Sequence, residues 1–208
     1  MELKPANTQQ IILEAAEKIF IDKGYSETKT VEIAKEAGVN HAMLHYYFRT
    51  KENLFNKVFE NKANFFLGTF KDVFQADLPF FEKIKTIVEA HFDRIGANPK
   101  VPVFVFREII ANKAKRDFIL QKIVPAGRPV IRELEQMVDA EVKKGTIAPV
   151  TPLDLLLNIA SLNVLSYAMA QVYFDFDKGL TPEINAFLAQ RKRNNVEVIL
   201  KSLKVERE

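Results

Sequence analysis

The sequence predicts an all-α fold of about nine helices: a small N-terminal group of three short helices containing a helix-turn-helix, then a larger helical domain. Three observations carry this. Ile11, Ile12, Ala15, Ala16, Ile19 and Phe20 recur at helical spacing, and the same period returns along nearly the whole chain. No convincing strand alternation competes with it. Asn or Thr before an apolar stretch and Gly or Pro after it punctuate the chain as helix caps and stops do.

The first helix is expected over residues 8–23, capped by Asn7 or Thr8, with Gly24 as the residue past its end. A second, barely two turns long, starts at Thr28 or Thr30, turns Ile33, Ala34 and Ala37 inward and stops at Gly38. Asn40 caps a third running to about Tyr47, and Thr50 caps a longer fourth from Lys51 to about Ala76. Pro79 opens the next, which closes near Gly96. "VPVFVFREII" has a strand-like alternation, but "REIIANKAKRDFILQKI" continues it without a turn signal, which favours helix. Pro125, Gly127 and Pro129 are expected to break the chain before "VIRELEQMVDAEVKKG", which ends at Gly145. The last two helices, about 152–175 and 182–203, each start with Thr-Pro, a cap followed by proline in the first turn.

Composition narrows the class. With 48% hydrophobic and 27% charged residues the chain is of ordinary globular type, not disordered or collagen-like. No apolar run is expected to reach the roughly 18 to 20 residues that span a bilayer, and the first ten residues do not resemble a signal peptide, so a cytoplasmic protein without a membrane partner is expected. The absence of cysteine excludes disulfides and thiolate metal sites. Net charge is +3, and residues 1–62 carry nine basic against nine acidic groups, so an anion-binding surface must come from placement rather than excess. There is no Gly-rich phosphate loop and no recognisable acid, base and nucleophile set; no enzyme and no cofactor is expected.

A short helix, Gly-Val-Asn and a second short helix have the size and turn chemistry of a helix-turn-helix, here at about 29–48. At roughly 100° per residue, Leu44, Tyr47 and Phe48 lie on the inner side of the second helix. Ala42, His45 and Tyr46 face away, with His41 and Met43 on the margins. Small and polar groups there suit entry into the major groove. Thr28, Thr30 and Asn40 stand at helix N-termini, where free N–H groups favour a phosphate, and Lys51 adds a full charge.

"GYSETKTVEIAKEAGVNHAMLHYYFRTKENLF" resembles the DNA-binding signature of the TetR/AcrR family of bacterial one-component repressors. The matching residues are Gly24, Tyr25, Thr28, Ile33, Ala34, Ala37, Gly38, Val39, Leu44, Tyr47, Phe48, Lys51 and Glu52. The resemblance implies a DNA-binding domain at 1–50 and an effector-binding and dimerisation domain at 51–208. It also implies a homodimer formed through the last two helices, palindromic double-stranded operator DNA as partner, and release by a small-molecule effector. Thr28, Asn40, Tyr46 and Lys51 would contact phosphates, and His41, Ala42, Met43 and His45 would face bases. The chain departs from the family at 41, 42 and 45, commonly Lys, Gly and Tyr, which bears on the operator sequence rather than the fold.

Other readings compete at several residues. His41 and His45, four apart, could clamp a metal, but a site needs further ligands and the chain offers few, so no metal is expected. The 17 phenylalanines can fill a core or line a cavity for a largely apolar effector. Polar residues inside apolar helical stretches are better pointers to such a ligand: His91, Arg107, Asn158, Asn163 and Tyr167, each of which could equally make a structural hydrogen bond or ion pair. "LLLNIASLNVLSYAMAQVYF", Leu155 to Phe174, is too apolar for an amphipathic surface helix, which fits a dimer seam formed with the closing helix. The alternative function is a helical DNA-binding dimer without an effector.

Overall fold

A computed structural model of the protein describes residues 5–174, 176 and 179–205; of residues 5, 6, 65, 66, 69, 71 and 72 it describes the backbone alone. The described residues form ten α-helices and one π-helical segment, with no strand among them. Two compact units are present, one built from residues 1–65 and 100–125, the other from 66–99 and 126–208.

The first unit contains α1 (Pro5–Glu27), α2 (Thr30–Glu36), α3 (His41–Phe48), the first part of α4 (Lys51–Gln75), α6 (Lys100–Ala111), α7 (Lys113–Phe118) and the π-helical segment (Ile119–Ile123). The apolar stripe foreseen on α1 is its buried face: Ile12, Ala16 and Phe20 pack with Ile33, Leu44, Leu54, Phe55 and Phe104 in one core. The first helix is longer than expected because helical hydrogen bonding resumes beyond Gly24. Gly24 itself has φ 83° and ψ 172°, a region essentially restricted to glycine, so it is a kink rather than a helix end. Lys29, not a threonine, stands at the N-cap of α2, and it makes no side-chain cap.

The second unit contains the rest of α4, α5 (Phe80–Gly96), most of α8 (Val124–Lys144), α9 (Pro152–Tyr173) and α10 (Pro182–Ser202). Helices α5, α9 and α10 pack on one another through Ile84, Val88, Ile159, Val196 and Ile199. A second cluster at the same seam joins Phe92, Ile95, Tyr167, Ala170, Ile184 and Leu188. The ring of Tyr167 lies 4.8 Å from that of Phe92 and sets its hydroxyl against Gly96, where any Cβ would collide with it.

Several boundaries follow the caps foreseen. The side chain of Asn40 accepts from the Met43 amide at 2.8 Å, Thr50 from Asn53 at 3.0 Å, and Thr151 from Asp154 at 3.1 Å. "VPVFVFREII" is helical, as α6. Three expectations are corrected. Helix α6 stops at Ala111, because Asn112 leaves helical geometry and its side chain caps α7 on the amides of Ala114 and Lys115. Pro125, Gly127 and Pro129 do not break the chain; α8 runs through them. The π-helical turn before Pro125 has the wider i→i+5 bonding, which relieves the clash between a proline ring and the preceding turn. Finally, α9 is long and apolar enough, by length and composition, to cross a membrane. Here it packs against α5 and α10 and buries Asn163, Ser166 and Tyr167. Asp175, the end of the range expected for this helix, lies outside the described residues.

Candidate nucleic-acid interface

Helix α3 is held by two residues and presents the rest. Leu44 and Phe48, one turn apart, are buried in the first core, and Tyr47 is half-buried beside them. That fixes the helix rotation. His41, Ala42, His45 and Tyr46 are therefore exposed, Tyr46 at 80%, with Met43 at the margin. The 100° phase read from the sequence is the phase observed.

The polar groups around this face are tied to one another. Thr30 Oγ1 and His41 Nε2 are 2.9 Å apart, which links the start of α2 to the start of α3. The rings of His41 and His45 meet edge to face at 4.6 Å, and Nδ1 of His45 lies 2.8 Å from the carbonyl oxygen of Arg49. Arg49 ends α3 with φ 61°, the one positive φ among described non-glycine residues, and its side chain is exposed. Thr28 differs from the others. It is buried, and its hydroxyl donates to the Gly24 carbonyl at 2.6 Å, so that side chain is committed inside the fold.

Lys51 opens α4 above the Tyr25 ring, 4.4 Å from its centroid, and donates to the Ser26 carbonyl at 3.4 Å. Burial, and then the neighbouring Lys115 charge, hold its ammonium below the ordinary lysine value. Lys115 also lies over the Tyr25 ring, 4.1 Å from the centroid, 2% exposed and paired with Glu52 at 3.1 Å. The Tyr25 amide donates to Glu108 Oε1 at 2.9 Å, and Arg107 lies alongside, reaching the Phe20 carbonyl at 3.5 Å. Glu108, Lys115 and Arg49 were not singled out in the sequence. Glu108 and Lys115 act on Tyr25 across more than eighty residues, and no local pattern announces that.

The acidic groups of α2 are neutralised nearby: Glu32 pairs with Lys23 at 3.2 Å and Glu36 with Lys18 at 2.6 Å. The outward face of α3 carries no carboxylate. Among the described residues no group of three or more His, Asp or Glu side chains stands close enough to hold a metal ion.

The five residues expected at an effector site are not all together. Arg107 belongs to the first unit, beside Gly24, and Asn158 is exposed on α9. His91, Asn163 and Tyr167 lie in the second unit. Asn163, fully buried, donates to the Val88 carbonyl at 2.9 Å and to His91 Nδ1 at 3.1 Å, and accepts from Asn195 at 2.9 Å. Asn195 also donates to Ser166 at 3.1 Å and accepts from Arg191 at 2.9 Å. Burial pushes the His91 imidazole down to about 4, which keeps Nδ1 free to accept. Tyr167, whose phenol is pushed up to about 12 by burial and then by Asp93, lines a separate cleft of about 340 Å³ with Phe92, Leu188 and Lys192.

Residues 12–58, from the buried face of α1 to the buried face of α4, match the family model described as "Bacterial regulatory proteins, tetR family". The HTH-type transcriptional regulator RutR of Escherichia coli (strain K12) is 26% identical over 188 residues, covering 90% of this chain and 82% of that one. Among solved structures, HlyIIR, a hemolysin II transcriptional regulator, is 27% identical and superposes with a TM-score of 0.60, covering 98% of this chain and all of that one (100%). A TetR family transcription regulator from Marinobacter aquaeolei VT8 shares the fold at a TM-score of 0.73 and 19% identity, covering 96% of each chain. Residues 12–58 are thus a DNA-binding domain of the kind found in the bacterial regulatory proteins of the tetR family, and the relatives matching most of the chain are regulators of transcription rather than enzymes.

Proposed function

We propose that the protein is a cytoplasmic repressor that binds palindromic operator DNA as a homodimer and is released from it by a largely apolar small molecule. The observation that carries the DNA-reading part is the outward face of α3. Leu44 and Phe48 lock the helix while His41, Ala42, Met43 and His45 are offered to the groove. Thr30, Asn40, Tyr46 and Lys51 serve as phosphate contacts in this reading. At Thr28 the backbone N–H rather than the hydroxyl would face the phosphate, since the hydroxyl is bonded to Gly24. Domains 1–50 and 51–208 divide these tasks.

Footprinting of the DNA flanking the protein's own gene tests the reading. A protected palindrome is expected at low salt, and its absence counts against the repressor. Tyr46→Ala is expected to weaken binding to all sequences alike, as loss of a backbone contact does.

Helix α9 supports dimerisation. Leu153, Leu157, Leu165 and Val172 are exposed and fall within a sector of roughly 120° at 100° per residue. A self-complementary apolar face of this kind suits pairing about a two-fold axis with α10. The effector would act through its different affinity for two conformations of the dimer, only one of which matches successive major grooves. A second reading, a DNA-binding dimer without an effector, is favoured by one observation. Asn163, Asn195, Ser166 and Arg191 satisfy one another, so that these polar groups need no ligand. Native mass spectrometry separates the two: a dimer carrying retained small-molecule mass supports regulation, and an empty dimer indifferent to apolar compounds supports the alternative.

A further inference from the structure

The imidazole of His45 is constrained in which nitrogen carries its proton. Its Nδ1 lies 2.8 Å from the Arg49 carbonyl oxygen, and a carbonyl oxygen only accepts; Nδ1 therefore carries hydrogen and donates. Arg49 can present that oxygen because it leaves α3 at φ 61° and ψ −52°. Its own amide donates back to the His45 carbonyl at 2.9 Å, so the two residues are joined twice. In the neutral ring the second nitrogen, Nε2, then has a lone pair and no hydrogen. His41 is not constrained in this way. Its Nε2 faces the Thr30 hydroxyl, which can give or take a proton, so either tautomer satisfies that bond.

We infer that His45 is a specificity-determining residue that reads a base edge as a hydrogen-bond acceptor through Nε2, selecting an exocyclic amine, adenine N6 or cytosine N4, at its place in the operator. The inference rests on α3 being the helix that reads DNA. In the major groove these amines are the only hydrogen-bond donors, whereas guanine N7 and O6, adenine N7 and thymine O4 accept. A lysine at this position would have donors alone and would seek guanine N7 and O6. The Arg49 carbonyl thus sets the sign of the contact from inside the protein.

Operator selection from random palindromes at pH 8, where imidazole in water is neutral, identifies the base pair whose preference changes between the wild type and His45→Ala. At that pair the amine is deleted in one duplex, purine replacing adenine or 2-pyrimidinone replacing cytosine; N7 is deleted in another by the 7-deaza purine. Loss of the amine is expected to weaken the wild type by about 5- to 100-fold, and loss of N7 by under about twofold. His45→Ala is expected to be indifferent to both deletions, and His45→Lys to depend on N7 instead. The proposal is overturned if N7 rather than the amine carries the wild-type affinity, or if an enriched palindrome contains no base pair that responds to residue 45. If the wild type enriches no sequence at all, the DNA-reading role of α3 falls as well. His45 is exposed, so helical circular dichroism of each variant separates a lost contact from a lost fold.

Discussion

A single residue can be read as a free-energy difference where its surroundings are fixed. His91 is such a case: burial lowers its imidazole to about 4, against the usual 6.5 in an unfolded chain. Above pH 6.5 both states are neutral and its full contribution is present. As pH falls from 6.5 towards 4 the unfolded chain takes the proton first, and roughly 3 kcal/mol of stability is lost over that window. Urea unfolding at pH 7 and pH 4.5 should show this drop, and His91→Gln should reduce it; equal drops in the two proteins would mean that other groups carry the acid sensitivity. Gly24 is fixed sterically. A Cβ there would lie 2.9 Å from Arg107 Nη2 and 3.0 Å from Glu108 Oε1, in a backbone region that side chains avoid. Gly24→Ala is expected to cost about 1 to 3 kcal/mol in the same assay.

At the scale of elements, the sequence is legible where local chemistry decides and silent where a distant residue does. Asn40, Thr50, Thr151 and Thr181 act as the caps they resemble, each through a side-chain oxygen that accepts from the amide three residues ahead. The inward and outward faces of α3 follow from a 100° step, because Leu44 and Phe48 have one core to enter. The break at Asn112 was masked by the strong helix formers Lys113, Ala114, Lys115 and Arg116 that follow it, although asparagine is a cap by type. The prolines of α8 mislead for a different reason: Pro125 falls in the first turn behind a π-helical segment that no residue type marks, and the helix continues through Pro129. Within the candidate interface, the outward residues could be named from spacing. The hydrogen-bond polarity of His45 could not, since it depends on the carbonyl of Arg49 and the turn that residue makes.

For the molecule as a whole, the prediction concerns assembly. If the exposed leucines of α9 form the dimer seam, Leu157→Glu with Leu165→Glu should give a monomer by light scattering while the helical content stays that of the wild type, because both side chains are already exposed in one chain. A dimer that survives the pair would move the seam elsewhere. Finally, the first unit is not continuous in sequence: residues 100–125 complete what residues 1–65 begin. Glu108 meets the Tyr25 amide across 83 positions, and Lys115 meets Glu52 across 63. During synthesis the helix-turn-helix therefore emerges well before its last partners exist. Until residues 104, 108 and 115 leave the ribosome, Phe55 lacks Phe104, the Tyr25 amide lacks its carboxylate, and Tyr25 has only one of its two cations, in that order. The unit that holds α3 is finished late, by a stretch of chain that contributes nothing to the outward face of that helix.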